Sequence, residues 1–169
     1  MDLKLKSISR AAISEAISKA ELYRNLNEPG EAESICRDIL AVEPDHQLAL
    51  RLLALAVTDQ FTGGAGDRYA EAESVFQSLR DPYERLYYTG IAHERRAKAL
   101  LRSGASPHTV IVLFEQAMNC FEHAEKTRPT GNDDAILRWN RCVRLLQTRA
   151  ASEWQREIEA LDTSDSPPV

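Results

Sequence analysis

The chain has 169 residues, of which 43% are hydrophobic and 28% charged, so it is long and apolar enough to form one domain without disulfides or metal. Its net charge is −5, and an acidic chain is a poor general binder of nucleic acid, because neutralising phosphates requires a surplus of cations. The acidity is concentrated in residues 1–80, which hold 9 Lys and Arg against 13 Asp and Glu, whereas residues 81–162 hold 12 against 12.

The cysteines and the N-terminus indicate an intracellular protein whose thiols are reduced. Cys36, Cys120 and Cys142 are an odd number, have no CxxC spacing and lie within apolar helical patterns, which is typical of packing residues. The N-terminal MDLKLKSISRAAIS lacks the apolar core of a secretory signal, and no stretch approaches the roughly 20 apolar residues of a membrane span. We therefore expect a soluble, cytoplasmic protein with no membrane partner.

Apolar residues at helical spacing predict an all-α fold of about seven helices. In chain order, we expect these helices near residues 4–26, 29–42, 46–61, 67–80, 82–103, 107–127 and 132–161. NEPG, between the first two, has the composition of a turn. Gly104 suits a left-handed helix end, while Ser106 before Pro107, and Asn132 before two aspartates, suit helix starts.

A small, a large and a medium residue followed by proline recur at offsets of four, three and five. The full copies are Ala32, Cys36, Ile39, Pro44 and Ala117, Phe121, Ala124, Pro129, and the imperfect copy is Ala72, Phe76, Leu79, Pro82. Residues three and four apart share one face of a helix, so each set predicts a buried stripe whose small members let another helix approach closely. Because the pattern recurs, it predicts a repeated unit of two helices.

These stretches resemble tetratricopeptide repeats, which are helix-turn-helix units of about 34 residues. The first unit matches best, and its family-type residues are Ala20, Tyr23, Ala32 and Pro44. Ala16 stands where the family has an early Trp, the second unit has an insertion holding GGAG, and the third has a lengthened first helix. The resemblance covers about residues 7–150 and implies a right-handed α-α superhelix of stacked antiparallel hairpins. An ordinary α-helical bundle is the alternative.

The last predicted helix has no Gly or Pro between Asn132 and Asp162. Its apolar residues recur every three or four positions, at Ile136, Trp139, Val143, Leu146, Ala150, Trp154, Ile158 and Leu161. Such a helix is expected to cap the open end of a stack. Trp154 either packs on the stack or anchors a homodimer. Residues 1–162 are thus predicted to form one domain, followed by a flexible polar tail at 163–169.

Motifs that would indicate catalysis are not found in the sequence. The four histidines are scattered, and His93 with Glu94 begins a zinc-protease pattern whose second histidine is replaced by Ala97. GGAG has no following lysine, so it is not a phosphate-binding loop. We expect a protein that is not an enzyme and that has no catalytic residues, cofactor or metal site.

The resemblance implies a protein or peptide partner held in a concave groove lined by the first helix of each unit. It places Ile17, Glu21, Leu55 and Ile91 along that groove. The groove residues expected to contact the partner are Arg24, Arg51, Tyr87, Glu94, Asn140 and Arg144. One branch of the family grips the C-terminal carboxylate of chaperone tails, but Ile17 and Glu21 stand where that branch has Lys and Asn. A scaffold or adaptor function is therefore predicted, with self-association through the last helix as the alternative.

Two groups of cations complete the sequence-based hypotheses. The first comprises Arg138, Arg141, Arg144 and Arg149, in an acid-free stretch opposite the apolar stripe of the last helix. The second comprises Arg95, Arg96, Lys98 and Arg102. Each is either a solvated helix back or a site for an acidic peptide, with nucleic acid a weaker alternative. If the two groups adjoin in space, the binding interpretation is favoured.

Overall fold

The computed structural model of the protein describes residues 3–64 and 66–164, and for residues 66, 67 and 150–164 it describes the backbone alone. These described residues form seven α-helices and one 3-10 turn, Arg10–Ala12, with no β-strand. The helices are α1 Ile13–Asn25, α2 Pro29–Val42, α3 Gln47–Asp59, α4 Gly66–Gln77, α5 Pro82–Arg102, α6 Pro107–Lys126 and α7 Asp134–Ser164. The all-helical class is therefore confirmed.

Each helix packs against the next one along the chain, and α3 also packs against α1 and α5. Prolines explain where three of the helices begin. Pro29, Pro82 and Pro107 open three of the helices, where the missing N–H would have no intrahelical partner. In the described part of the chain, no helix combines the length and apolarity that crossing a membrane requires.

The recurring small, large and medium residues form the core of the contacts between helices. Ala32, Ala72 and Ala117 are fully buried, which confirms that they face neighbouring helices. The other members of the pattern, apart from the prolines, are also buried: Cys36, Ile39, Phe76, Leu79, which lies just beyond the end of α4, Phe121 and Ala124. Spacing along the sequence thus identified the buried faces of α2, α4 and α6.

At Gly90, α5 and α6 approach each other closely. This residue was not part of the recurring small, large and medium pattern. A Cβ atom at this position would lie 2.6 Å from Cε1 of Phe121 on α6. The lack of a side chain at Gly90 therefore lets the Phe121 ring lie against the α5 backbone.

The predicted helix ends are mostly confirmed. The Ser106 side chain accepts a hydrogen bond from the Thr109 N–H, and Gly104 has the left-handed φ of 76°. Oδ1 of Asn132 accepts from the N–H of Asp134 at the start of α7. The turn in NEPG contains Asn27, whose φ is 61°.

The start of the first helix was predicted wrongly. Residues 3–9 are not helical, and α1 begins at Ile13 after the 3-10 turn rather than at residue 4. Leu3 and Leu5 are 82% and 96% exposed, so no apolar contact stabilises a helix there. A segment that buries no apolar face gains too little to offset the cost of ordering it.

The buried side of α7 also differs from its predicted stripe. The most buried residues of α7 are Ala135 and Cys142, whereas Trp139 on the predicted stripe is 37% exposed. Ile136, Val143 and Leu146 are half-buried. The small side chains of Ala135 and Cys142 admit the closest approach, so the contact line is rotated by about one residue. The predicted roles of Ala150, Trp154, Ile158 and Leu161 concern side chains outside the described part.

Candidate functional site

A row of charged side chains crosses the alternate helices α1, α3, α5 and α7. On α1, Nε of Arg24 donates to Oδ2 of Asp59 at the end of α3, at 2.8 Å. On α5, Nη1 of Arg95 lies 2.6 Å from Oδ1 of the same carboxylate. Asp59 therefore joins three helices, and both arginines remain only partly exposed.

Arg95 also caps the C-terminal end of α3. Its guanidinium donates to the carbonyl oxygen of Leu55 at 3.1 Å and to the hydroxyl of Thr58. Burial lowers the pKa of Arg95, Asp59 opposes this effect, and the positive charges of Arg24 and Arg138 add to it. Cations from α1, α5 and α7 thus lie close enough to act on one another.

Glu94 continues the row from α5 to α7. Its side chain is fully buried and forms an ion pair with Lys98, and Nη1 of Arg138 on α7 donates to its Oε2 at 3.3 Å. Burial lowers the pKa of Arg138, but Glu94 and the Tyr87 hydroxyl outweigh burial, so that the pKa is raised. Glu94 thus links α5 to α7 through its ion pairs with Lys98 and Arg138.

A second contact between α3 and α5 lies nearer their N-terminal ends. Nη1 of Arg51 donates to Oε1 of Glu84 at 2.6 Å, and the guanidinium lies 5.8 Å from the centre of the Tyr88 ring. Beside it, the Tyr83 and Tyr87 rings stack with centroids 5.6 Å apart. This part of the molecule therefore combines the paired Arg51 with the half-buried rings of Tyr87 and Tyr88, while Tyr83 is buried.

The structure brings most of the predicted partner-binding residues to the same alternate helices. Arg24, Arg51 and Tyr87 are half-buried and take part in the contacts above, while Asn140 is half-buried and Arg144 exposed on α7. Glu94 differs from these five, since no part of its side chain reaches solvent. Glu94 therefore cannot contact a partner directly. Its carboxylate instead holds Lys98 and Arg138 in place. Ile17, Leu55 and Ile91 of the predicted groove are buried as well.

The two predicted groups of cations adjoin in space. Lys98 from one group and Arg138 from the other share the carboxylate of Glu94. Arg96 does not belong with them, because its guanidinium lies over the Tyr69 ring of α4, 4.1 Å from the ring centre. Arg138 is not on an open helix back as predicted, because Glu94 draws it into the interface between α5 and α7.

Two features of this row were missed at the level of sequence. Asp59 is the shared acceptor, and nothing in its local sequence distinguishes it from other surface carboxylates. The burial of Glu94 had a signal, because Lys98 follows it by four residues and the apolar residues Ile91 and Ala97 flank it at helical spacing.

The described residues offer little support for nucleophilic or metal chemistry. Burial raises the pKa of Cys36 and of Cys142 to about 12 and that of Cys120 to about 11, so these thiols stay protonated at neutral pH. The Tyr69 hydroxyl is hydrogen-bonded to Nδ1 of His93 at 2.8 Å, and burial lowers the pKa of His93. Within the described ranges, no three His, Cys, Asp or Glu side chains are grouped so that they could hold a metal ion.

An apolar cavity of about 280 Å³ lies between the end of α5, the start of α6 and α7. Leu101, Val110 and Leu145 are among its walls, with Arg149 at its edge. The α7 side chains beyond Arg149 lie outside the described part. The charged row, in contrast, consists wholly of described side chains.

Comparison of the chain with protein-family models, with curated proteins and with solved structures found no match. The resemblance to tetratricopeptide repeats therefore rests on the residues quoted for it. The function has to be argued from the geometry of the helices and their side chains.

Proposed function

We propose that this protein is a noncatalytic scaffold or adaptor that binds a peptide segment of a partner protein across α1, α3, α5 and α7. In this proposal the helices are tetratricopeptide-like hairpins in a right-handed superhelical stack. The alternate helices are then the first helices of successive units, and together they form the concave face.

The observation that carries the proposal is the charged row from Arg24 to Arg138. It passes through Asp59, Arg95 and Glu94 and so links side chains of all four alternate helices. Two sets of ion pairs, Arg24 with Asp59 and Arg95, and Arg138 with Glu94 and Lys98, meet at the adjacent residues Glu94 and Arg95 of α5, whose charges act on one another. An ordinary α-helical bundle does not require contacts that link α1, α3, α5 and α7 in this order.

The accessible residues on this face suit peptide recognition. Arg51 and Tyr87 are partly exposed and held by neighbours, so little conformational entropy is lost when they contact a ligand. Asn140 can donate to and accept from a peptide backbone. The high pKa values of the three thiols also support a noncatalytic function, since a thiol must ionise to act as a nucleophile.

The test is a selection of binders from a random peptide library, followed by affinity measurements with purified protein. We expect Arg51→Ala, Tyr87→Ala and Asn140→Ala, made together, to weaken the selected peptides by about tenfold or more. The control is Arg37→Ala, Asn119→Ala and His123→Ala, which alters exposed positions on α2 and α6. Circular dichroism checks that both variants fold. Unchanged affinity in the first variant would reject this face as the binding site.

A second candidate function is self-association through α7. Leu137 and Trp139 are 63% and 37% exposed on this helix. With 31 residues, α7 is longer than the 20-residue α6 that covers it, so α6 cannot shield it along its whole length. Sedimentation equilibrium of the wild type and of Leu137→Glu with Trp139→Glu separates the two functions, because only self-association predicts a dimer that the substitutions dissociate.

A further inference from the structure

Cations outnumber carboxylates where α5 and α7 meet. The two carboxylates of the charged row are Asp59 and Glu94. The cations grouped around them are Arg24, Arg95, Lys98, Arg102, Arg138 and Arg141. This part of the face therefore carries a local positive excess in a chain whose net charge is −5.

The groups around Arg102 and Arg141 show where these two cations lie. Arg102 lines a polar cavity of about 180 Å³ at the end of α3, together with Asp59, Arg95 and Lys98. Arg141 lies near the Cys142 thiol, where its charge, with those of Lys98 and Arg138, opposes the effect of burial on the pKa of that thiol. Lys98 contributes to both groups, so the positive region is continuous from α5 to α7.

Neither carboxylate presents its charge freely to solvent. Glu94 is fully buried beneath Lys98 and Arg138, and Asp59 is enclosed by Arg24 and Arg95. These two acids pair with Arg24, Arg95, Lys98 and Arg138. In the described part of the chain, the exposed Arg102 and Arg141 make no ion pair.

We infer that this basic region, formed by Lys98, Arg102, Arg138 and Arg141, binds an acidic peptide segment of the partner. The inference rests on the proposed peptide-binding function and adds the chemical class of the ligand. Glutamate or aspartate side chains of the segment pair with Arg102 and Arg141, whose planar guanidinium groups bind carboxylates in a bidentate manner. Lys98 and Arg138 are already paired and supply the surrounding positive potential.

An acidic peptide fits this region better than a nucleic acid. The same alternate helices also carry carboxylates, since Glu84 lies near the N-terminal end of α5 and Glu21 is exposed on α1. A long chain of phosphates would meet these acids, whereas a short acidic segment is accommodated within the basic region. Binding of single-stranded nucleic acid also depends on exposed aromatic rings on which bases stack, whereas Phe61 beside Lys98 and Arg102 is buried and Tyr87 beside Arg138 is half-buried.

The experiment measures fluorescence anisotropy with three labelled probes of equal length. The probes are a peptide of alternating Glu and Ser, the same peptide with Gln in place of Glu, and a single-stranded RNA. We expect the wild type to bind the Glu peptide at least about tenfold more tightly than the Gln peptide, with affinity falling as salt is raised. Absence of binding to the Glu peptide, or equal binding of the Gln peptide, would overturn the inference.

The variant Arg102→Glu with Arg141→Glu tests the location. Both residues are exposed and make no ion pair with a described side chain, so we expect the fold to persist and the affinity for the Glu peptide to fall by about tenfold or more. Arg10→Glu with Lys19→Glu is the matched control, because it changes the net charge equally at exposed positions near and on α1. An equal loss in the control would attribute binding to net charge and reject the site. RNA binding tighter than Glu-peptide binding, and lost in the same variant, would assign the region to nucleic acid instead.

The two proposals fail in different ways. Library-selected peptides whose binding is lost on changing Arg51, Tyr87 and Asn140 but kept in Arg102→Glu with Arg141→Glu would overturn the acidic-segment inference and leave peptide binding intact. Selected peptides that are rich in Glu and Asp and that lose affinity in both variants would support both proposals.

Discussion

At the scale of single residues, the Glu33 carboxylate holds together helices on the side of the molecule formed by α2 and α4. It accepts hydrogen bonds from Arg68 at 2.5 Å, from Arg37 at 2.7 Å and from Gln60 at 2.7 Å. The Arg68 hydrogen bond is the main reason that the pKa of Glu33 is lowered to about 2, and it outweighs the opposing effect of burial. An ionised Glu33 is therefore strongly preferred in the folded state.

This pKa shift predicts a pH dependence of stability. A glutamate in the unfolded chain has a pKa of about 4.3, so Glu33 contributes its full stabilisation above that pH and loses it as the pH falls toward about 2. We expect Glu33→Gln to lower the free energy of unfolding by about 1–2 kcal/mol at neutral pH, allowing for solvent screening. The difference from the wild type should shrink as the pH falls below about 4.

Urea unfolding at several pH values measures this effect. The control is Glu122→Gln, which removes an exposed carboxylate that lies 3.8 Å from Lys126. A deficit in Glu33→Gln that stays constant down to the lowest pH would mean that the ion pairs of Glu33 are not its source.

Gly90 gives a second prediction at this scale. A Cβ here would meet Phe121 at 2.6 Å, so Gly90→Ala should destabilise the protein by about 1–3 kcal/mol, although alanine favours a helix. Gly30 is the matched control, because it lies in α2 and a Cβ there would meet no atom within 4 Å. Gly30→Ala is therefore expected to stabilise by about 0.5–1 kcal/mol. Urea unfolding that shows the same sign for both variants would contradict the close contact with Phe121.

At the scale of helices, α7 is joined to α5 through Glu94 and Arg138. Removing a cation leaves a buried carboxylate with less counter-charge, so we expect Arg138→Gln, which leaves the fully buried Glu94 with Lys98 alone, to cost about 2–4 kcal/mol. A double-mutant cycle of Glu94→Gln with Arg138→Gln should give a coupling free energy of about 1–3 kcal/mol. The exposed pair Glu122 and Lys126 should give about 0.5 kcal/mol or less in the same measurement. Equal coupling in the two pairs would show that the buried link contributes nothing special to docking α7.

The helices themselves were largely predictable, because apolar spacing, proline and glycine act locally. Ala32, Ala72 and Ala117 were correctly placed against neighbouring helices for this reason. The start of α1 was not predictable, since the rest of the fold determines whether Leu3 and Leu5 have apolar side chains to pack against. The rotation of α7 was missed for a related reason, because the small Cys142 determines the contact line more than the large Trp139 does.

At the scale of the whole molecule, the candidate face depends on contacts between residues far apart in sequence. Arg24, Arg51 and Tyr87 were proposed from positions within the repeat, but their partners Asp59 and Glu84 were not. Ion pairs between helices depend on how neighbouring helices are aligned along their axes, and a periodic pattern fixes the face of a helix without fixing that alignment. The burial of Glu94 shows the consequence, since this residue was predicted to line the groove and contact the partner, whereas its side chain is fully buried.

The order of contacts also predicts how the molecule opens. Each helix packs mainly against its neighbours in sequence, so a defect near one end should be felt locally, as in a stack of repeats. Ile39 on α2 and Leu113 on α6 are both buried, and Ile39→Ala or Leu113→Ala should each cost about 2–4 kcal/mol. Hydrogen exchange should then accelerate chiefly in α1, α2 and α3 for the first variant and in α5, α6 and α7 for the second. If both variants accelerated exchange evenly in every helix, the protein would be a single cooperative bundle, and the stacked arrangement on which the binding face depends would have to be abandoned.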